Sequence, residues 1–165
     1  MDFLPDIGLA TLGCQFLVGL SRAMILFIVT AGLSLVLGVL KIPNAAHGSL
    51  YMIGAFIAYT VATFIGGATG FWLALILAPL VVALVSLVIE RGLLRHLYER
   101  EHLMLLLFTF ALLLVFGDLV KLTWGAEFRS MSPPSIFIGS FSVFGLPFPR
   151  YNLFLLVMGV LIGVG

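Results

Sequence analysis

The chain is 165 residues long, 62% apolar and 9% charged, with a mean hydropathy of +1.28 and a formal net charge of +1. A soluble domain carries about 25% charged residues to coat its surface, so eight basic and seven acidic side chains exclude a water-soluble bundle and a disordered tail. The near-neutral balance offers no basic face for nucleic acid.

The start, Met1-Asp2-Phe3-Leu4-Pro5-Asp6, is acidic and no small-residue cleavage pattern follows it, so it does not read as a cleaved leader. Cys14 is the one cysteine, without a disulfide partner or a Cys or His at metal-ligand spacing, and no metal site is expected. Crossing ~30 Å of hydrocarbon as a helix takes roughly 18 or more residues free of charge. Ala23–Leu40 is the first such run, and Arg22 just before it reads as a snorkelling helix-end residue. Ile42–Ile89 is too long for one helix. Pro43-Asn44-Ala45-Ala46-His47-Gly48-Ser49 and Gly66-Gly67-Ala68-Thr69-Gly70 divide it into Leu50–Ile65 and Phe71–Ile89. Leu103–Leu122 follows, with Asp118 and Lys121 near its far end, and it ends at Trp124 as an interfacial residue would. Tyr151 opens a fifth run, which reaches Gly165 without a polar flank and reads as cut short within the membrane.

These runs predict an all-α polytopic membrane protein with a small external β-hairpin. It forms one transmembrane domain over 1–165, incomplete at its C-terminal end, with spans at about 23–40, 50–65, 71–89, 103–122 and 151–165. One side holds 41–49 and the connector 90–102, with Lys41, Arg91, Arg95 and Arg100; the other holds 1–22, 66–70 and 123–150, with Arg22, Arg129 and Arg150. The density of arginine after Glu90 places 90–102 in the cytoplasm and 125–150 outside, unless the short second span is a re-entrant half-helix. Within the connector, Leu93, Leu94, Leu97 and Tyr98 recur at helical spacing, so it suits the membrane surface. The outer loop is longer than the ~12–15 residues beyond which structureless loops are uncommon. There Ser135–Ile138 and Phe141–Phe144 flank Gly139-Ser140 as a hairpin turn, between Pro133-Pro134 and Pro147-x-Pro149. Its phenylalanines mark either a docking surface or packing on the protein's own rim. Gly54-Ala58-Ala62 and Gly159-xxx-Gly163 supply small-residue faces on which helices approach closely.

Two features carry candidate chemistry. Asn44, His47, Gly48 and Ser49 put an amide, an imidazole, a flexible backbone and a hydroxyl between two apolar helices. Such a break either lines a water-filled path or is a tight loop in which Asn44 caps the next helix. Asp118 and Lys121 lie three apart on one helix face, about 22 Å along from Leu103 at 1.5 Å per residue. They form either a functional intramembrane charge pair or a self-neutralising interfacial pair with Lys121 snorkelling.

Gly19-Leu20-Ser21, Ala31-Gly32-Leu33-Ser34-Leu35-Val36-Leu37-Gly38-Val39-Leu40 and Asn44-Ala45-Ala46-His47-Gly48-Ser49-Leu50-Tyr51-Met52-Ile53-Gly54-Ala55 together resemble the inner-membrane permeases of branched-chain amino acid ABC importers. Glu90-Arg91-Gly92-Leu93-Leu94-Arg95 and Leu119-Val120-Lys121-Leu122-Thr123-Trp124-Gly125 follow in the family's order. Ala45 stands where the family usually has phenylalanine, and Arg22 where a small or apolar residue is usual. The resemblance implies a multi-pass protein of the bacterial inner membrane working with a second permease subunit, cytoplasmic ATPases and a periplasmic substrate-binding protein. Branched-chain amino acids would be the cargo, with urea or short amides as the alternative.

The family's ATPase-coupling loop follows the fifth span and is expected beyond Gly165. No phosphate-binding Gly-x-x-x-x-Gly-Lys-Ser/Thr loop is present, so ATP is expected on the partner and neither a cofactor nor enzymatic activity on this chain. Asn44, His47, Gly48 and Ser49 would then contribute to the substrate path. The charges of Glu90, Arg91, Arg95 and Arg100 would touch the ATPase or simply set topology. A gradient-driven transporter or channel would need ionisable pairs near mid-bilayer, and the apolar runs offer almost none. An intramembrane enzyme would need a base or metal cluster, yet the carboxylates nearest to His47 in sequence are Asp6 and Glu90. A structural membrane subunit fits the hydropathy but leaves the polar break and the long loop without a purpose.

Overall fold

A computed structural model describes residues 8–40, 44–98, 100–131, 133–143 and 145–164. The expectations for residues 1–6, Lys41, Pro43, Glu99 and Phe144 lie outside the described residues. The described chain forms α1 (Leu9–Leu40), α2 (His47–Ile65), α3 (Gly67–Gly92), α4 (His102–Trp124) and α5 (Arg150–Val164), with 3-10 turns at Leu94–Leu97 and Ser135–Phe137. Strands β1 (Ser140–Val143) and β2 (Leu146–Pro149) form an antiparallel hairpin before α5. Four helices are long and apolar enough to cross a membrane, over Thr11–Val39, His47–Ile65, Gly67–Gly92 and His102–Trp124, and α5 is a shorter apolar helix. The fold is therefore an all-α polytopic membrane fold with one small hairpin.

Three helix starts differ from the charge and glycine punctuation. Helix α1 begins at Leu9 and carries the exposed Arg22 along its length, because a single charge limits contact with lipid without interrupting backbone hydrogen bonds. Helix α2 begins at His47, so His47, Gly48 and Ser49 belong to its first turn and the break contracts to the turn before it. Helix α3 begins at Gly67, leaving Gly66 as the whole junction. Gly66 has φ +72°, and its N–H bonds the Ala62 carbonyl at 2.9 Å, closing α2 at a positive φ that glycine adopts without steric cost.

The chain divides into two compact units. The unit of residues 33–132 is built from α2, α3, α4 and the last part of α1. Between α2 and α3 the contact surface is made of small residues: Ala62, Gly70, Ala74 and Ala78 are buried. A Cβ at Gly70 would lie 2.8 Å from the Ala62 carbonyl oxygen, and one at Gly54 would lie 3.2 Å from Val82 Cγ2. Close approach of this kind gives dispersion contact where lipid removes the hydrophobic drive between helices. The α3 stripe was hidden in the sequence because Gly70 read as loop.

Helices α2 and α4 run parallel and in register. Ala45 bonds Thr109, Ser49 bonds Leu113 and Thr60 bonds Trp124, each across a separation of 64 residues. The 44–46 turn and the connector after α3 therefore share one end of this unit, with Gly66 and Trp124 at the other.

The second unit, residues 1–32 with 133–165, holds the first part of α1, the hairpin and α5. Glycines again mark tight contact: an added Cβ at Gly159 would meet Met24 Cβ at 2.8 Å, and one at Gly163 would meet Phe27 at 2.9 Å. The hairpin lies further along the chain than the Gly139-Ser140 turn expected from sequence. Phe137 N–H bonds the Pro134 carbonyl at 2.8 Å, which ties Ser135–Phe137 into a 3-10 turn and removes it from strand pairing. Ser140 instead pairs with Pro149, and the reversal falls beside Gly145, with φ +80°. This register sets Phe141 opposite Phe148 with ring centroids 5.5 Å apart, and leaves Phe148 only 1% exposed.

Candidate functional site

The Asn44–Ala46 turn is held from both directions. Asn44 Oδ1 accepts the Ala46 N–H at 3.0 Å, and the Asn44 carbonyl accepts the His47 N–H at 3.3 Å. An asparagine side chain that mimics a backbone turn in this way is the usual reason for its place there. The Ala45 N–H donates to Thr109 Oγ1 at 3.2 Å, while that hydroxyl donates to the Leu106 carbonyl at 3.0 Å. Ser49 Oγ donates to the Leu113 carbonyl at 3.3 Å. Thr109 is fully buried, so the turn is docked onto α4 by polar groups shielded from solvent. Sequence reading missed Thr109, although it is the lone hydroxyl in the Leu103–Leu122 run.

Replacing Thr109 by valine keeps its shape and removes the acceptor of the Ala45 N–H. An unsatisfied buried donor costs about 1–3 kcal/mol. Thr109→Val should therefore lower the thermal midpoint in detergent, and Thr109→Ser should restore most of the loss. Equal midpoints for all three proteins would remove Thr109 from the docking of the turn.

Beside this turn lies a cavity of about 240 Å³. Asn44, His47, Ser86, Glu90 and Tyr98 give it polar groups, and Leu50, Leu112 and Phe116 supply apolar wall. Of the four path candidates, Asn44 and His47 line the cavity. Gly48 and Ser49 do not: Gly48 is exposed and Ser49 is turned onto α4. Ser86 was not singled out from sequence, although it is the lone hydroxyl in Phe71–Ile89.

Glu90 lies in the final turns of α3 and faces the cavity, whereas Arg91, Arg95 and Arg100 are exposed and do not line it. The Tyr98 phenol is held above its ordinary range, first by burial and then by the neighbouring Glu90 carboxylate. Among the described residues no three His, Cys, Asp or Glu side chains gather as a metal would require.

At the other end of this unit, Lys121 Nζ lies 3.2 Å from Asp118 Oδ1, with both side chains mostly exposed. Trp124 Nε1 donates to Thr60 Oγ1 at 2.7 Å, and its ring lies 5.5 Å from Phe56. Arg129 donates to the Trp124 carbonyl at 3.1 Å and sits 5.8 Å above the Tyr59 ring, placing a cation at the C-terminus of α4.

Helices of this length and apolarity, packed through small residues, define a multi-pass membrane protein. A family model for the permease component of branched-chain amino acid transport systems matches residues 15–164, and the chain belongs to that family. It is thus a membrane permease, one component of a multi-subunit transport system. No curated protein and no solved structure matches the chain.

Proposed function

We propose that the chain is a permease subunit of an ATP-driven importer of the bacterial inner membrane, carrying branched-chain amino acids or related small solutes. The observation that carries this reading is a polar turn, docked on α4, that presents Asn44 and His47 to a cavity between helix ends in a permease-family chain. The permease shapes the path together with a second permease subunit. Cytoplasmic ATPases hold the ATP, so no cofactor sits on this chain, and a periplasmic binding protein delivers the solute. The arginine-bearing connector faces the cytoplasm. The 139–149 hairpin faces outward, where its exposed Phe141 suits contact with the binding protein.

The test is to reconstitute the complete transport system in proteoliposomes. ATP-dependent accumulation of leucine, isoleucine and valine is expected. Accumulation of urea or acetamide in their place would move the substrate to short amides. Uptake driven by an ion gradient without ATP would overturn the importer reading.

Orientation has its own test. Ser140 is exposed on β1. In a Cys14→Ser background, Ser140→Cys should react in intact cells with a thiol reagent that cannot cross the inner membrane. Labelling only after lysis would invert the proposed orientation.

A further inference from the structure

Among the described residues, the charge around the cavity is one-sided: Glu90 lines it, and no described lysine or arginine does. Among the described residues no Lys or Arg forms an ion pair with Glu90, although three arginines follow it closely in sequence. The remaining polar groups are Asn44, His47, Ser86 and Tyr98. Asn44 Oδ1 is already engaged by the Ala46 N–H, so it serves the turn. The cavity therefore presents one carboxylate together with the Ser86 and Tyr98 hydroxyls and the His47 imidazole beside an apolar wall.

We propose that this cavity binds a primary ammonium group, carried by a small solute or by a lipid headgroup, and that Glu90 is the anion that selects it. An ammonium has three donors and no acceptor, which the Glu90 carboxylate and the Ser86 hydroxyl complement. Glu90 is exposed at the edge of the cavity, open to an arriving cation, with the apolar side chains of Leu50, Leu112 and Phe116 lining the same space. The volume of about 240 Å³ limits the occupant. At roughly 30 Å³ per water-sized group it holds about eight such groups, the size of a small aliphatic amine. The Tyr98 phenol is pushed up first by burial and second by the Glu90 carboxylate. This inference rests on the permease reading in taking the cavity as a part of the solute path. The site itself is testable without transport.

The experiment uses the assembled transporter in nanodiscs of phosphatidylglycerol, with Cys14→Ser and Ser86→Cys in the permease. Thiol reaction rates are compared for 2-aminoethyl methanethiosulfonate, which is cationic, and 2-sulfonatoethyl methanethiosulfonate, which is anionic. Each rate is normalised to a free thiol. Adding Glu90→Gln should lower the cation-to-anion ratio about tenfold, and Glu90→Asp should hold it near the parent value. The lipid charge is common to all three proteins and cancels. A ratio unchanged by Glu90→Gln would overturn the proposal.

Occupancy is read by protection. 3-Methylbutylamine should slow labelling at position 86 while 4-methylpentanoate, which keeps the alkyl group and lacks the ammonium, should not. Equal protection by both would also overturn the proposal. Protection that appears only when phosphatidylethanolamine is added would assign the ammonium to the lipid headgroup; protection by the free amine in phosphatidylglycerol alone assigns it to a solute. If ATP-driven uptake by the unsubstituted transporter is absent while the charge ratio responds to Glu90, the importer reading fails and the site stands. Intact uptake with an unresponsive ratio removes the site alone.

Discussion

Gly70→Val is expected to destabilise the bundle by about 2–3 kcal/mol, at the upper end of the usual cost of overpacking. The reason lies in what the new side chain meets. Even its Cβ would sit 2.8 Å from the Ala62 carbonyl oxygen and 3.3 Å from the Ala62 Cα. Both are backbone atoms of α2, so no rotamer change relieves the overlap and α2 must move away from α3. That movement would also open the contacts of Ala74 and Ala78, which are buried on the same face. Thermal unfolding of the detergent-solubilised complex checks the prediction. Gly117→Ala is the matching control, because a Cβ there meets nothing within 4 Å, and alanine favours a helix over glycine by about 1 kcal/mol. Equal midpoints for Gly70→Val and the parent protein would show that α2 and α3 do not depend on this contact.

On the proposed importer reading, His47→Leu is expected to lower ATP-dependent uptake about five- to tenfold while leaving the assembled complex intact. His47 opens α2 and lines the cavity. Leucine fits the volume and the helix, but removes the imidazole nitrogens from the cavity wall. Loss of a single polar contact at about 1 kcal/mol corresponds to that range of rate. Size-exclusion profiles and ATPase association should remain those of the parent. Unchanged uptake would take His47 out of the path. Disrupted assembly would assign it to packing instead.

Much of the fold was legible in the residues. Long uncharged runs separated by Pro43–Ser49, Gly66–Gly70 and the connector after Glu90 foretold helices in the observed order, since a membrane span must be both apolar and long. Boundaries were less legible. Arg22 suggested a helix start that α1 ignores, and Ala68, Thr69 and Gly70 suggested a loop that α3 absorbs. Local polarity reports what solvent a residue tolerates, whereas helix limits follow from where backbone hydrogen bonds find partners. The hairpin shows the same separation. Its existence followed from glycine and proline spacing, but its register followed from the Pro134 carbonyl and from the pairing of Phe141 with Phe148.

By itself the sequence determined that this protein lives in lipid, crosses the membrane several times, carries a polar break at Asn44–Ser49 and resembles a permease family. Each of these depends on composition or on residues adjacent in the chain. Only the tertiary structure decided which polar residues meet. The parallel register of α2 and α4 brings Thr109 to Ala45 across 64 residues, and the return of α3 brings Ser86 and Glu90 beside His47. It also turned Ser49 away from the cavity and left the arginines after Glu90 exposed outside it. Such pairings depend on how whole helices pack, and a hydroxyl in an apolar run does not announce in sequence which distant backbone group it will bond.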